Sequence, residues 1–396
     1  MVPLGAVATF VRGVTFKPTD VESPTVDNID CLRTKNVQDD LDLSDVWSIP
    51  RSMMKRLEQR VRKGDILVSS ANSWNLVGKC SWIPSLERTT TFGGFVTILR
   101  ADSDLADPRY LYRWFSWERT QATIRSFGNQ TTNISNLNLK RTAALNLPLP
   151  PLDEQRRIAA ILDKADALRT TRWSVLMELS RLERSTFLHM FGDPVSVPER
   201  RELATLLSSI DSGSSPVAED RIAGPDEWGI LKLSAVTSQT FIASENKAID
   251  AEKIDRRHEI RSGDVLFTRK NTPSLVAATA LVRSTRPKLL LPDLVFRLNI
   301  ANRGTLLPEY LHAVLSYPTQ RAAIQKLASG SAASMSNISK TKLLTASIPV
   351  PRIEDQRRFK ARLDSVNSLR GRAHNSLNVA DRLFASLQHR AFSGEL

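Results

Sequence analysis

The chain has 396 residues, 41% hydrophobic and 24% charged, a composition of folded domains that excludes a disordered polymer. No apolar run is long enough to cross a bilayer, the start MVPLGAVATFVRGVTF lacks the basic and apolar regions of a secretory signal, and Cys31 and Cys80 alone make no disulfide framework, so a cytoplasmic chain with free thiols is expected. The net charge of +13 favours polyanionic partners, nucleic acid foremost, over a basic surface kept merely for solubility.

In chain order, the first half opens with short strand-like runs, DILVSS, CSWI and VTILR, with Gly64-Asp65 as a turn into a buried strand. A helical pair then starts near Pro108 with YLYRWFSWERTQATIRSF, followed by the polar loop GNQTTNISN and a short strand running into LPLPP. A long helix follows and ends near Gly192 in MFGDP. The second half repeats this plan. Gly263-Asp264 leads into DVLFTR, VFRLNI follows, and a helical pair starts near Pro308 with YLHAVLSYPTQRAAIQKL, where Pro318 should break the helix after Ser316. The loop SGSAASMSN leads to IPVPR, and a second long helix ends near Gly394 in AFSGEL.

The correspondence is residue by residue. Gln155-Arg156-Arg157 matches Gln356-Arg357-Arg358 at a shift of 201, as do Pro148 with Pro349, Pro150 with Pro351, Ser135-Asn136 with Ser336-Asn337, and Arg169 with Arg370. Tyr110-Leu111 and Ser116 match Tyr310-Leu311 and Ser316 at 200; Arg62, Gly64, Asp65 and Leu67 match Arg261, Gly263, Asp264 and Leu266 at 199. A near-constant offset over so many segments means a duplication of one large unit.

Asp153 and Glu354 are expected to cap the long helices, with Glu154 and Asp355 suiting the helix dipole. Ile161, Leu168, Val175 and Leu182 recur by sevens in the first helix, with Leu162, Ala165, Leu176 and Leu179 beside them. Val366, Ala373, Ala380 and Leu387 do so in the second, with Leu363, Leu377, Phe384 and Ala391 beside them. Such stripes call for a helical partner, and the two helices are expected to pair as a rod roughly 50 Å long between two globular parts. Packing of each helix on its own domain is the alternative. A duplicated chain of this kind is a pseudo-dimer, suited to two different DNA half-sites at a fixed gap.

The doubled LPLPPLDEQRRIAAILDKADALR and IPVPRIEDQRRFKARLDSVNSLR, with VRGVTFKPTDV, CLRTKNVQ, RKGDILVSS and AFSGEL, resemble the specificity subunit of type I restriction-modification systems over nearly the whole chain. The resemblance implies an α+β fold with a pseudo-two-fold internal repeat. Target recognition domains would occupy 1–150 and 193–350, and long spacer helices 151–192 and 351–396, packed antiparallel. It further implies double-stranded DNA as ligand and two adenine-N6 methyltransferase subunits docked through the helices. Restriction/translocase subunits would join through the methyltransferase. No catalysis and no cofactor would belong to this chain, S-adenosylmethionine being bound by the methyltransferase and ATP and Mg by the restriction subunit. The second copy departs from the pattern with Arg352 where the first has Pro151, and Phe359-Lys360 where it has Ile158-Ala159.

Base readout needs polar side chains on loops beside strands. The first-copy candidates are Lys35, Asn36, Gln38, Asn72, Trp74, Asn75, Lys79, Asn129, Gln130 and Thr131. Those of the second are Lys232, Ser234, Arg269, Lys270, Asn271, Thr272, Ser329, Ser331 and Ser334. For each, a solvated loop residue is the plain alternative, and Asp65 and Asp264 read as turn formers. No P-loop, methylation motif or zinc-ligand spacing appears. Pro225-Asp226 with Glu245-Asn246-Lys247 fits a loose metal-nuclease pattern, which makes a nuclease using Asp226, Glu245 and Lys247 the enzymatic alternative. A nucleic-acid-binding scaffold is the third reading.

Overall fold

The structure, a computed structural model, describes residues 1–130, 134–250, 255–329 and 335–396, and of Asn129 and Gln130 the backbone alone. The chain divides into two units, Met1–Trp173 with Asn375–Leu396, and Ser174–His374. Both boundaries fall inside the long helices Leu152–Phe191 and Ile353–Ser393, so each helix contributes to both units.

The first unit is built on a four-stranded antiparallel sheet in the order Ala8–Arg12, Val96–Ala101, Ile66–Ser69, Cys80–Trp82. Side chains alternate across a strand, and here both faces are buried. Ile66 and Val68 face a core shared with helix Pro108–Phe115 and the long-helix residues Ile158, Leu162 and Ala165, while Leu67 faces Leu32, Phe92 and Ile98. That is why DILVSS lacks polar alternation. A second sheet, Trp47–Pro50, Asn28–Leu32 and Thr90–Phe92, has one antiparallel and one parallel pairing. The second unit repeats both sheets. Its four strands are Leu207–Ser212, Val295–Ile300, Val265–Thr268 and Thr279–Leu281, and its three are Asn246–Ala248, Gly229–Leu231 and Leu289–Leu290. Cys31 and Cys80 are free and buried, and burial pushes both thiols up to about 12.

The helical pair of the second unit breaks where Pro318 requires, into Pro308–Ser316 and Pro318–Gln325. The first unit breaks at the same place without a proline, into Pro108–Phe115 and Glu118–Ser126. Trp117 and Tyr317 have nearly the same extended backbone, φ −63° and −64°. Each ring packs on a long helix, Trp117 at 5.3 Å from Phe392 and Tyr317 at 5.3 Å from Phe187, and this aromatic contact accompanies the break in both copies.

The long helices begin one residue before the expected caps. Leu152 and Ile353 are the first helical residues, and the amides of Gln155 and Gln356 bond the carbonyls of Pro151 and Arg352. Asp153 and Glu354 therefore sit in the first turn rather than at the cap. Gly192 and Gly394, at φ +74° and +79°, follow the last turns in the left-handed region that glycine adopts without penalty. Within the first unit the helices run antiparallel, with Arg157 on the Leu396 carbonyl and Arg169 on Asp381 at 2.7 Å. Within the second, Glu183 holds Arg370 at 2.7 Å and Phe187 meets Phe359.

The buried stripe of the first helix differs from the expected one. Ile158, Leu162, Ala165, Leu176, Leu179 and Phe187 are buried, whereas Leu168, Val175 and Leu182 are 40%, 39% and 46% exposed and Ile161 is half-buried. In the second helix Val366 and Ala380 are buried and Ala373 and Leu387 half-buried.

The two domain-to-helix junctions carry opposite charge. Arg109 and Arg113 reach Asp163 and Asp166 of the long helix in the first unit. In the second unit Glu309 pairs instead with Lys360 at 2.8 Å. This accounts for Lys360 where the first copy has the buried Ala159.

His312 lies buried on helix Pro308–Ser316, its Nε2 3.3 Å from the Gln239 carbonyl. Burial holds its pKa below the ordinary 6.5; the Glu183 charge opposes that and Arg283 adds to it. The unfolded chain therefore takes up the His312 proton first as pH falls below about 6.5, so folding stability drops through that window and is flat above it. We predict that His312→Gln flattens this acid limb by up to about 1.4 kcal/mol per pH unit in urea titrations between pH 7 and 5. An identical limb in the variant would contradict this.

Candidate nucleic-acid interface

In each unit three separate loops meet beyond one end of the central strand. In the first, the short strand Ala71–Asn72, which follows Ile66–Ser69, pairs with Ser135–Asn136, which pairs with Asn129–Gln130. Residues some sixty positions apart thus share one small sheet. In the second, Lys270–Asn271 pairs with Ser336–Asn337, and Ser329 bridges to Asn337. The third segment joins each through a side chain. Gln38 accepts from Lys79 at 3.0 Å, and Thr237 Oγ1 accepts from Asn271 Nδ2 at 3.3 Å.

Local hydrogen bonds divide the candidates. Asn36 is buried, accepts from the Arg33 amide and donates to the carbonyls of Asp42 and Asp45, so it holds its loop together. Asn72 and Asn271 each accept from the next amide at 2.8 Å, the same turn in both copies. Lys35 pairs with Asp45 at 2.6 Å, Lys79 with Asp39 at 3.4 Å, and Ser234 donates to Glu245 at 2.6 Å. Lys232 is half-buried, its amide on the Glu245 carbonyl. Arg269 lies 5.2 Å over the Phe296 ring and donates to Asn337 at 3.4 Å, and Ser329 donates to the Asn337 carbonyl. Trp74 is 51% exposed, Thr272 is exposed and Lys270 is half-buried, which leaves these three most open to a ligand, whereas the exposed Asn75 accepts from the Ser73 hydroxyl at 2.7 Å. Thr131, Ser331 and Ser334 lie outside the described residues.

Other candidates emerge only from the fold. Asn136 and Asn337 sit in the small sheets, and a short helix follows each, Leu139–Ala143 and Lys340–Leu344, capped by Asn138 and Ser339. They carry exposed Arg141 and Lys342 at equivalent positions. The repeat itself held that signal, since 141 and 342 are also 201 apart.

Asp65 and Asp264 act in turns, accepting from the amides of Arg62 and Arg261. Burial raises the Asp264 pKa against that bond and Arg297. Of the nuclease-like residues, the Glu245 and Lys247 side chains are engaged by other partners. Glu245 takes Ser234, Lys247 pairs with Asp220 at 2.8 Å, and the Asp226 carbonyl accepts from Lys288. Among the described residues no three His, Cys, Asp or Glu side chains are grouped to hold a metal ion, and no helix is long and apolar enough to cross a membrane.

Residues 26–176 match the family model described as the type I restriction modification DNA specificity domain. The chain is 24% identical to the type I restriction enzyme EcoKI specificity subunit of Escherichia coli, over 100% of this chain and 88% of the relative. It is 30% identical to the EcoEI specificity subunit of the same species over 38% of this chain and 25% of that relative. Its fold is similar to the crystal structure of the S subunit of a type I restriction-modification system from M. genitalium, with a TM-score of 0.54 and 12% identity over 99% of this chain and 95% of that one. The first copy of the repeat thus carries a match to the DNA specificity domain of type I restriction-modification systems, and the chain is similar along its whole length to their specificity subunits.

Proposed function

We propose that the chain reads a bipartite DNA target, one half-site per recognition domain, the domains being residues 1–150 and 193–350. The observation that carries this reading is the convergence, twice in one chain, of three polar loops on a small sheet beyond the central strand. Loops on a rigid sheet present donors and acceptors to base edges, and two such edges on one polypeptide give two half-sites with a constant gap. The helices of residues 151–192 and 351–396 dock two adenine-N6 methyltransferase subunits, through which restriction/translocase subunits join. Exposed apolar side chains on these helices support that role: Leu168, Trp173, Val379 and Leu383 in the first unit, Met177 and Leu369 in the second. Recognition belongs to this chain and chemistry to its partners, with S-adenosylmethionine on the methyltransferase and ATP and Mg on the restriction subunit.

Replacing residues 1–150 with the matching segment of a relative of different specificity is expected to change one half-site of the adenine-methylation motif and leave the other. Base-resolution methylation mapping of cells carrying each version reads this directly. A swap that altered both half-sites would sink the modular reading.

A further inference from the structure

The opposite end of strand Ile66–Ser69 carries a feature the reading edge does not use. A cleft of about 440 Å³ opens there between segments 57–63 and 84–90, lined by Arg60, Arg62, Lys63 and Arg88 with Leu57 and Leu86 among its apolar walls. No carboxylate lines it. Arg88 is held by Asp30 at 3.0 Å and by the Thr25 carbonyl, whereas Arg60, Arg62 and Lys63 are exposed. Their backbone is nonetheless fixed. Arg100 donates to the carbonyl of Arg60 and pairs with the buried Asp65, which in turn accepts from the Arg62 amide. The turn is thus a pinned platform that directs three cations outward without ion-pair partners among the described residues.

The second unit handles the same region differently. Arg286 donates to the carbonyl of Glu227, Lys288 to that of Asp226, and Arg257 pairs with Asp255 at 2.7 Å. Arg261, the counterpart of Arg62, is likewise exposed, but Glu259 and Ser262 stand where the first copy has Arg60 and Lys63.

We propose that this cleft binds backbone phosphates of duplex DNA irrespective of sequence, giving the first unit a grip that the second does not share. The chemistry fits. Open, rigidly based cations suit phosphodiester oxygens, the apolar walls suit a deoxyribose, and the buried Thr90 hydroxyl of the lining is spent on the Arg88 carbonyl rather than free to orient a base. The inference rests on the recognition reading, but its salt-slope test does not. In the full-length protein, the Arg60→Gln/Arg62→Gln/Lys63→Gln variant is expected to bind a random-sequence duplex with a log K against log salt slope shallower by about 2–3 than the parent. Separately, Lys63→Cys carrying a photo-crosslinker, with the two native cysteines buried, is expected to capture duplex DNA at one fixed position relative to a bound target. An unchanged slope, or crosslinks scattered along the duplex, would overturn the proposal. Crosslinking abolished by millimolar inorganic phosphate at constant ionic strength would also overturn it, in favour of a free-phosphate site. Discrimination between target and scrambled duplex by the parent protein tests the recognition reading alone, so either can fail without the other.

Discussion

Replacing Gln356 with alanine is expected to destabilise the second unit by about 2–4 kcal/mol, because three half-buried backbone groups lose their partner at once. The side chain is fully buried. Its Nε2 donates to the carbonyls of Thr305 and Pro351, both at 2.9 Å, and its Oε1 accepts from the Leu307 amide at 2.9 Å. Gln155 makes the same bracket in the first unit, to Leu105, Pro150 and Asp107. One amide thus ties the start of a long helix to the loop that launches the domain's helical pair. Glutamate should not rescue it. A carboxylate would accept from Leu307 but has no proton for either carbonyl, and its charge would be buried. Urea titration read by hydrogen exchange in each unit checks this. The second-unit midpoint should fall and the first-unit midpoint should hold, whereas an unmoved second-unit midpoint would mean that water replaces the bracket.

The same glutamine marks where sequence reasoning reached and where it stopped. Its recurrence after a proline pair located the junction twice, but two of its three partners lie some fifty residues upstream, and no local pattern names them. The strands Val96–Ala101 and Val265–Thr268 were legible because β-branched and apolar runs between turn residues are a local signal. The buried stripe of the first long helix was not. Apolar residues occupy more than one face there, Leu168 and Val175 as well as Leu162 and Leu176, and periodicity alone cannot say which face a domain covers. The break at Trp117 was hidden for a similar reason, since it depends on a contact with Phe392 and not on a proline. Among the DNA-contact candidates, residue type does not tell which side chains are already engaged: Asn36 lies in a short turn, Asn72 and Asn271 in two-residue strands, and all three bond neighbouring parts of the chain.

That division of labour yields the largest functional effect. Trp74→Ala is expected to reduce discrimination at the first unit's half-site about tenfold, since a ring wedged beside a base step reads that step's deformability and a wrong base pair costs roughly 1–3 kcal/mol. The ring is 51% exposed in a loop anchored by Ser73 and Asn72, so its loss should leave the fold intact. Lys270→Ala is expected to do the same at the other half-site, because a lysine reaching guanine O6 and N7 is worth about 1–3 kcal/mol of selectivity. Asn36→Ala should behave in the opposite way. It leaves the carbonyl of Asp42 unpaired, takes one of two donors from that of Asp45 and lowers stability, with specific and non-specific binding falling together. Binding to duplexes randomised in one half-site at a time separates the three outcomes. Trp74→Ala losing preference at both half-sites, or at neither, would remove it from the reading edge. The contrast holds because a side chain that reads bases has to be spare in the free protein, and one already bonded to its own loop is not.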